Sequence, residues 1–447
     1  MLKSLTQERR AQDLTRAHSI FLLILVSMGS SIIYSPAYLW YVFDKPLGDA
    51  MIAAGISSAN TVQTDLGTFL SAYAWTALVC YLPSGIIADR VRVRTLGWVG
   101  FCSTALLTWC YAIFPSRTTI MMIFIGMGIT TILIWWGIRY KLVRLISQED
   151  TYSRNIGLSY GIYGAAALLV GLINTWVATT FVANQIMPMR YVLIILGCII
   201  MVLGILSYLF IPKFEGEFDT SGGGFNVKQV GAALSHPVVW LSALTLFFVY
   251  FFYTGVTQTT GYMSDVMGAS VGIVSIVALV RTYGITLLSG PLFGAIAHKT
   301  GSPSRVIAVG SVVVALGLTG FIFMPGKAGF AVVAAALAIL LGFLANGVFG
   351  IVSSQLTEGR VPLAIFGTAT GLLSVIGFLP DTFSYRWFGS IRDANVDTPE
   401  VAYGQIFTIL AASAVLAAVF AALLVIYVKK HPAVAEEVEL EEVSSEA

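Results

Sequence analysis

The chain has 447 residues, of which 57% are hydrophobic and only 11% are charged, and its formal net charge is +2. Soluble domains carry about 25% charged residues, so this composition cannot supply the water-exposed surface of an ordinary globular protein. The small net charge also argues against a nucleic-acid binder, which needs a basic surface. Because a membrane span takes about 20 apolar residues, the composition predicts an integral membrane protein with many spans.

The first apolar stretch follows a polar N-terminal segment that carries Lys3, Arg9, Arg10 and Arg16. The stretch extends over residues 18–43. This is longer than the apolar core of a secretory signal, and no clear cleavage pattern follows a shorter core. We therefore expect this segment to be retained as the first membrane helix.

Twelve apolar stretches follow one another along the chain, and they predict an all-α membrane protein. The first six, named spans 1 to 6, are residues 18–43, 65–88, 95–114, 118–144, 155–181 and 189–211. The second six, named spans 7 to 12, are residues 237–264, 269–297, 305–324, 328–354, 362–390 and 401–428. Two halves of six helices each are expected, with both termini on the same side of the membrane.

The longest polar interruption lies between span 6 and span 7. Its acidic and glycine-rich residues, 212–236, predict a cytoplasmic linker between an N-terminal bundle (1–211) and a C-terminal bundle (237–430). Within the linker, residues 225–234 predict a short amphipathic helix on the membrane surface. The acidic residues 431–447 predict a disordered tail.

Lysine and arginine are unevenly distributed between the two sides of this predicted topology. With a cytoplasmic N-terminus, sixteen of the 25 basic residues fall in cytoplasmic segments, as the positive-inside rule requires. Both termini are therefore expected in the cytoplasm of a cell whose inner or plasma membrane holds the protein. The basic residues on the opposite side are Lys45, Arg117, Arg190, Lys327, Arg386 and Arg392, and those within spans are Arg139, Lys141 and Arg281.

A short pattern recurs at the ends of span 2 and span 8, 209 residues apart. The first copy reads G-I-I-A-D-R from Gly85 to Arg90, and the second reads G-A-I-A-H-K from Gly294 to Lys299. A parallel repeat of two six-helix halves is an architecture of secondary transporters. With twelve spans and a central linker, the pattern resembles the major facilitator superfamily, whose signature loop is G-x-x-x-D-[RK]-x-G-[RK]-[RK].

The match to this signature is partial. In the first copy Arg92 replaces a glycine and Val93 replaces a basic residue, and in the second copy His298 replaces the acid. The matching positions are Gly85, Asp89, Arg90 and Arg94 in the first copy and Gly294, Lys299 and Gly301 in the second. The resemblance implies that this loop controls the conformational change and does not hold substrate.

The residue types of the first loop have physical reasons. Gly85 would let span 2 approach a neighbouring helix closely. Asp89 would accept hydrogen bonds from a helix N-terminus or pair with Arg90 and Arg94, which would latch the two halves on the cytoplasmic side. The alternative is that the basic residues only enforce topology, and this is the interpretation we favour for Arg92.

Two ionisable residues lie deep in the predicted membrane region of the second half. Arg281 is roughly 18 Å into span 8, where a charge costs at least ~2.5 kcal/mol and usually faces a cavity or a partner. Asp381 is about 15 Å into span 11. They could form a structural ion pair that satisfies only each other. Alternatively, Arg281 binds an anionic substrate and Asp381 carries the coupling proton, which is the interpretation we favour because ionisable residues within a membrane are usually functional.

Arg139 is a second candidate for the substrate site. It lies about 12 Å inside span 4, deeper than Lys141 and Arg144, which can reach the interface. The segment Trp135–Arg139 resembles the organic-anion and organophosphate branches of the superfamily, as does Gly367–Gly371. The phosphate exchangers carry arginines in spans 1 and 7, and this chain has none there, so the resemblance favours a carboxylate or another small anion.

Tyrosines supply further polar groups within the spans. Tyr34, Tyr38 and Tyr41 share one face of span 1. Tyr41 is assigned to the aromatic belt at the membrane interface, whereas the deeper side chains are predicted to form hydrogen bonds with substrate. The predicted substrate ligands besides the arginines are Tyr34, Tyr38, Tyr250, Tyr253 and Asn346.

The sequence therefore predicts a secondary active transporter that carries a small anionic organic solute together with a proton by alternating access. We expect a monomer in the lipid bilayer, with solute and protons as partners and with no nucleic acid, metal or cofactor. Two alternatives stay open: a transport-inactive sensor or structural partner with the same fold, and an exporter or antiporter of another solute class. An enzyme is not expected, because the histidines lie at helix ends and the cysteines lack metal spacing.

Overall fold

The computed structural model describes residues 8–9, 14–147, 149–181, 184–215, 217 and 227–431. The predicted tail beyond His431 lies outside the described residues. The helices of the first part of the chain are α1 (Arg16–Ile32), α2 (Trp40–Ala53), α3 (Val62–Arg90), α4 (Val93–Ala112), α5 (Arg117–Gly128), α6 (Trp136–Leu145), α7 (Glu149–Thr180) and α8 (Met187–Phe210). A π-helical segment, Ile129–Trp135, joins α5 to α6. The short strands β1 (Glu8–Arg9) and β2 (Lys213–Phe214) pair in parallel.

The second part of the chain repeats this helical pattern. Its helices are α9 (Val227–Ser235), α10 (Pro237–Gly255), α11 (Gln258–Asp265), α12 (Val271–Leu279), α13 (Thr286–Thr300), α14 (Pro303–Ile322), α15 (Ala331–Ile351), α16 (Ser354–Glu358), α17 (Leu363–Gly377), α18 (Ser384–Ala394) and α19 (Pro399–Lys430). The π-helical segment Val280–Gly284 joins α12 to α13. The 3-10 segments are Ala328–Phe330, before α15, and Leu379–Thr382, between α17 and α18.

The fold is all-helical, and its helices follow the predicted spans. In the described part of the chain, nine helical stretches are long and apolar enough to cross a membrane, and the bent pair Val62–Tyr81 and Pro83–Arg90 makes a tenth. These ten correspond to the predicted spans 2 and 4 to 12. The helix α4, which covers predicted span 3, has 20 residues, but its threonines, glycines and tryptophans make it too polar for the same criterion. Twelve spans and cytoplasmic termini stay predictions.

Predicted span 1 is not one continuous helix. The helix α1 has only 17 residues and ends at Ile32, and the chain makes successive turns before α2 begins at Trp40. Pro36 lies in this break, where it has no N–H to donate to a helical carbonyl. The expectation of one uninterrupted helix over residues 18–43 is therefore wrong. The break places Tyr34 and Tyr38 on turns instead of on one face of a helix.

The buried apolar side chains form two separate clusters. One comes from the chain up to Phe214, with Ala278, Leu279 and Tyr385 added from the second part. The other extends from Ala233 to Leu424. The predicted linker, 212–236, contains Phe214 of the first cluster and Ala233 of the second. Within it α9 is observed at Val227–Ser235, close to the predicted amphipathic segment.

Two glycines allow helices of the two clusters to cross closely. A Cβ atom on Gly67 of α3 would collide with the backbone of Tyr385 in α18, and one on Gly389 of α18 would collide with the backbone of Gln63 in α3. Because the collisions involve backbone atoms, no side-chain rotation can relieve them. The crossing of α3 and α18 therefore requires glycine at both positions.

Candidate functional site

A cavity of about 260 Å³, here called the tyrosine cavity, lies where the two parts of the chain meet. The predicted substrate ligands Tyr34, Tyr38, Tyr250, Tyr253 and Asn346 all line it. Tyr41 lines it as well, so the assignment of this residue to an interfacial belt is wrong. None of the described residues that line this cavity is charged. The role of these side chains in binding stays a prediction.

Sequence reasoning missed four further tyrosines of the same wall. They are Tyr73 and Tyr81 of α3, Tyr163 of α7 and Tyr283 of the π-helical segment. Each lies within an apolar span, where an isolated hydroxyl has no water to bond, and this signal could have found them. The periodicity of the sequence could not have found them, because the helix face that lines the cavity is known only when the neighbouring helices are known.

A smaller cavity of about 40 Å³, here called the recess, adjoins the tyrosine cavity. Arg281 and Gly342 line the recess but not the larger cavity. The two cavities share part of their walls, and the shared residues are Tyr41, Tyr253, Thr254, Thr282 and Asn346. The side chain of Arg281 therefore lies beside the larger cavity.

The guanidinium of Arg281 is buried among uncharged groups. Its Nη1 donates to the hydroxyls of Thr259 (2.9 Å) and Thr260 (2.8 Å) and, at 3.3 Å, to the carbonyls of Val256 and Thr257. These carbonyls belong to the turn between α10 and α11, and each also accepts a backbone N–H, from Thr259 and Thr260 respectively. The donors of Nη2 reach only distant acceptors, at 3.3 and 3.4 Å.

Arg281 occupies a π-helical segment, Val280–Gly284. Such segments inside α-helices are rare and frequent at functional sites. The neighbouring Gly342 of α15 leaves room for the arginine, because a Cβ atom there would contact Arg281 Cγ. A side chain larger than glycine at position 342 would therefore displace Arg281.

Asp381 lies in the 3-10 segment Leu379–Thr382 and is also buried. Its carboxylate accepts hydrogen bonds from the hydroxyls of Tyr250 and Tyr385, each at 2.6 Å. The Tyr385 hydroxyl is further hydrogen-bonded to that of Tyr41. The carbonyl of Tyr41, in turn, accepts from Arg281. The ion pair between Arg281 and Asp381 that the sequence left open is not formed, and uncharged groups connect the two residues instead.

Arg139 is buried but does not line the tyrosine cavity. Its Nε donates to Ser159 at 3.2 Å, and its guanidinium lies over the rings of Tyr160 and Tyr163, 4.2 and 5.1 Å from their centroids. Such cation–π contacts stabilise a cation without a carboxylate. The structure places Arg139 behind the wall that Tyr163 forms, and Arg139 lines neither cavity. Its role in substrate binding stays a prediction.

A charged cluster, here called the outer lock, joins the two parts of the chain near the N-terminal end of α19. Arg392 of α18 donates to Asp44 of α2 at 2.7 Å and to Asp265 of α11 at 2.9 Å. Trp40 donates to Asp44 at 2.8 Å, and Tyr403 of α19 donates to Asp265 at 2.7 Å. We call this face the outer face, because it lies a helix length away from Lys430. Sequence reasoning had only assigned Arg392 to the side of the membrane opposite the cytoplasm.

The packing around the outer lock is tight. A Cβ atom on Gly261 would collide with the Tyr403 hydroxyl and the Asp44 carboxylate. On the same face, the carboxylate of Asp393 accepts from the backbone N–H groups of Gln63 (3.1 Å) and Thr64 (2.6 Å) at the start of α3. A helix N-terminus favours a negative charge, so this contact also holds α18 against α3.

The predicted latch on the opposite, inner face is not formed as expected. Asp89 and Arg90 are exposed, and among the described residues Asp89 makes no hydrogen bond or ion pair. Among the described residues, a Cβ atom on Gly85 or Gly294 would meet nothing within 4 Å, so the close helix approach expected at Gly85 is not seen there. Arg94 instead lies over the ring of Tyr208.

A glutamate from the linker has the role that the sequence analysis predicted for Asp89, which is to accept a hydrogen bond at a helix N-terminus. Glu217 accepts a hydrogen bond from the N–H of Val93 at the start of α4, and it pairs with Arg92 at 3.6 Å. Burial raises the pKa of the Glu217 carboxyl above its ordinary value. The interpretation of Arg92 as a topology signal alone is therefore incomplete.

The second copy of the loop carries a matching contact. Glu358 accepts from the N–H of Ser304 at 2.8 Å and from the hydroxyl of Ser302, at the start of α14. Gly301 ends α13 with φ +61°, a conformation in which glycine is favoured. Lys299 lies exposed in the last turn of the same helix. In each half, the helix of the third predicted span (α4 or α14) is thus capped at its N-terminus by a glutamate from a distant segment.

Comparison with known proteins agrees with this architecture. The family model described as the Major Facilitator Superfamily matches residues 20–384. The inner membrane protein YqcE of Escherichia coli (strain K12) is 28% identical over 376 residues, which are 83% of this chain and 87% of that protein.

Two solved structures are similar in fold. A bacterial homologue of the human lysosomal transporter Spinster, in an inward-facing and occupied conformation, superposes with a TM-score of 0.72 at 14% identity, covering 92% of this chain and 97% of that one. A D-xylose–proton symporter gives a TM-score of 0.67 at 15% identity, covering 90% and 97%. At these identities the likeness is one of fold.

Proposed function

Because the chain belongs to the Major Facilitator Superfamily, we propose that it is a secondary active transporter that moves a small organic solute by alternating access. It is a multi-pass protein of the cell membrane, like the inner membrane protein that it resembles. We further propose twelve spans in two halves, 1–211 and 237–430, with the linker and both termini in the cytoplasm. A monomer suffices, because one chain supplies both sides of the cavity.

The observation that carries this proposal is the position of the tyrosine cavity relative to the outer lock. The cavity has walls from both parts of the chain, and the outer lock joins the same two parts on the outer face. On the inner face Asp89 is exposed, without a partner among the described residues. This asymmetry is what one end state of an alternating-access cycle requires: one face is fastened while the other is not.

We propose that the solute is an anion and that Arg281 binds it. A buried cation without an opposite charge nearby is costly, and an anion entering the recess would remove that cost. The planar guanidinium suits a carboxylate, to which it can donate two parallel hydrogen bonds. The weak hydrogen bonds of Nη2, at 3.3 and 3.4 Å, are those that an anion could replace.

We propose that Asp381 carries the coupling proton. It is buried, with no cationic partner among the described residues, and its two hydrogen bonds come from tyrosines, which can donate to a carboxylate or accept from a carboxylic acid. Tyr250 also lines the tyrosine cavity. Its hydroxyl could turn toward a bound solute, so occupancy of the site and protonation of Asp381 would be linked.

Uptake by the purified protein in lipid vesicles tests these proposals. Vesicles preloaded with a panel of organic anions are expected to exchange a labelled anion, and an inward proton gradient is expected to drive its accumulation. Exchange without accumulation would refute proton coupling, whereas the proposal that the protein is a transporter would stand. If no solute is bound or exchanged, the alternative of a transport-inactive sensor with the same fold gains support.

A further inference from the structure

The recess and the tyrosine cavity differ in size and chemistry, although they share five residues. The recess has a volume of about 40 Å³ and contains the buried cation. One water needs a cavity of about 10–15 Å³, so the recess has room only for a small group such as a carboxylate. The tyrosine cavity, at about 260 Å³, has room for a body several times larger.

The chemistry of the larger cavity restricts what that body can be. Its wall combines aromatic rings with the hydroxyls of tyrosines and threonines and the amide of Asn346. Hydroxyl groups both donate and accept, so they complement a solute that carries hydroxyls of its own. The ring faces can pack against the C–H surface of a saturated ring. No charged side chain among the described lining residues would bind a second charge.

The hydrogen bonds of Asn346 support a polar body next to the anionic group. Asn346 accepts from Ser289 at 2.9 Å and donates to Thr286 at 3.2 Å. These bonds hold its amide at the boundary between the recess and the larger cavity. Its side chain is also hydrogen-bonded to Tyr253, so an amide and a tyrosine hydroxyl lie together where a hydroxyl next to a bound carboxylate would be.

We infer that the solute has two parts: one carboxylate, which enters the recess and binds Arg281, and a hydroxylated saturated ring of monosaccharide size, which fills the tyrosine cavity. The substrate class is therefore the sugar monocarboxylates. This inference rests on the proposed function, because it specifies which anion the proposed Arg281 site accepts.

Equilibrium binding to the purified full-length protein tests the inference with three probes. D-glucuronate has both parts, D-glucose has the same ring without the carboxylate, and benzoate has the carboxylate without hydroxyls. Glucuronate is expected to bind at least about tenfold more tightly than either of the others, since each lacks one set of hydrogen bonds.

Two variants separate the two parts of the site. In Arg281→Gln the ratio of glucuronate to glucose affinity is expected to fall to about one, because only the carboxylate contact is lost. In Tyr253→Phe the affinity for glucuronate is expected to fall severalfold, and the affinity for benzoate is expected to fall less, because benzoate has no hydroxyl to bond. Arg117→Gln is the matched control, since it removes a guanidinium that pairs with Asp65 away from both cavities and is expected to keep the wild-type ratios.

Each contrary result has one meaning. If benzoate binds more tightly than glucuronate, the ring of the solute is aromatic and the inference is wrong, whereas the proposed anion site at Arg281 is not contradicted. If glucose binds as well as glucuronate, the recess does not select a carboxylate, and both the inference and the proposed role of Arg281 fail. If none of the three binds but the anion panel of the vesicle assay is transported, only the sugar-acid class is wrong.

Discussion

Arg392 and Asp44 form a buried ion pair 2.7 Å long, although 348 positions separate them in the chain. Both side chains are only 5% exposed. Asp44 belongs to the first part of the chain, and Arg392 and its second partner, Asp265, belong to the second part. If the outer face opens, Asp44 moves away while Arg392 keeps Asp265 as its partner. Opening therefore does not leave a buried guanidinium unpaired, which would be strongly unfavourable.

This arrangement predicts opposite effects for two substitutions that remove the same charge. Asp44→Asn weakens the contact between the parts and is expected to favour the state open on the outer face. Asp265→Asn removes the partner that Arg392 keeps on opening, and it is expected to favour the closed state. A cysteine at Ser31, which lines the cavity, in a background without the native cysteines, reports on opening through labelling by an impermeant thiol reagent from outside.

Labelling is expected to be several times faster in Asp44→Asn than in the parent protein and several times slower in Asp265→Asn. Lys45→Gln is the control, because Lys45 forms only an exposed pair with Asp49, and such pairs contribute little. A change in the same direction for both aspartate variants would show that the cluster acts on stability and not as a gate.

Glycine substitutions test where the helices need close approach. Gly389→Ala places a methyl group against the backbone of α3, and overpacking of this kind costs about 1–3 kcal/mol. It is expected to lower transport and to speed outside labelling, because the outer face cannot close fully. Gly85→Ala adds a methyl group in open space, and its effect on both measurements is expected to be small. The reverse order of effects would restore the role that the signature loop implied for Gly85.

The helices could be predicted from the sequence better than the site. Apolar stretches gave nearly all spans because a bilayer sets their length, and the deep charges at 281 and 381 were found because a charge in an apolar run stands out. The outer lock could not be found in this way. Asp44 and Arg392 lie near span ends, where charges are ordinary, and only the contact between distant helices makes them unusual. Glu217 was missed for the same reason, since a linker acid is unremarkable until its helix partner is known.

Glu217 predicts a pH dependence of stability. Burial raises the pKa of this carboxyl above its ordinary value of 4.5, so the folded protein holds the proton more tightly than the unfolded chain. Stability therefore falls as the pH rises from 4.5 through the raised value. Glu217→Gln resembles the protonated form and is expected to remove this decrease. Melting temperatures measured from pH 4.5 to 8 test the expectation. If both proteins show the same slope, another group causes the dependence.

Arg281→Lys is expected to abolish most anion binding although the charge is kept. Lysine offers a compact ammonium, which cannot donate to the hydroxyls of Thr259 and Thr260 and at the same time present a two-donor fork to a carboxylate. Affinity for the best anion of the vesicle panel should therefore fall by at least about tenfold. Calorimetric titration measures it, with Arg117→Lys as the control. Unchanged affinity would show that a positive charge alone is sufficient, or that the anion binds elsewhere.

The final prediction concerns the coupling between solute and proton. Tyr385 donates a hydrogen bond to Asp381, and the Tyr385 hydroxyl is hydrogen-bonded to the Tyr41 hydroxyl. The backbone carbonyl of Tyr41 accepts a hydrogen bond from Arg281. An anion in the recess that draws Arg281 away from the Tyr41 carbonyl would disturb Tyr41, and with it the tyrosine hydrogen bonds that stabilise the Asp381 carboxylate. Asp381 should then take up a proton, so that solute and proton bind together.

In Asp381→Asn this link is cut, because an amide cannot gain or lose a proton near neutral pH. Exchange of labelled for unlabelled solute across vesicles is expected to continue, since it needs no net proton movement. Accumulation driven by an imposed pH gradient is expected to disappear. Tyr250→Phe serves as a comparison, because it removes one hydrogen bond to the carboxylate and keeps the ionisable group, so accumulation should persist at a lower rate. If Asp381→Asn still concentrates solute in response to the gradient, Asp381 is structural and another group carries the proton.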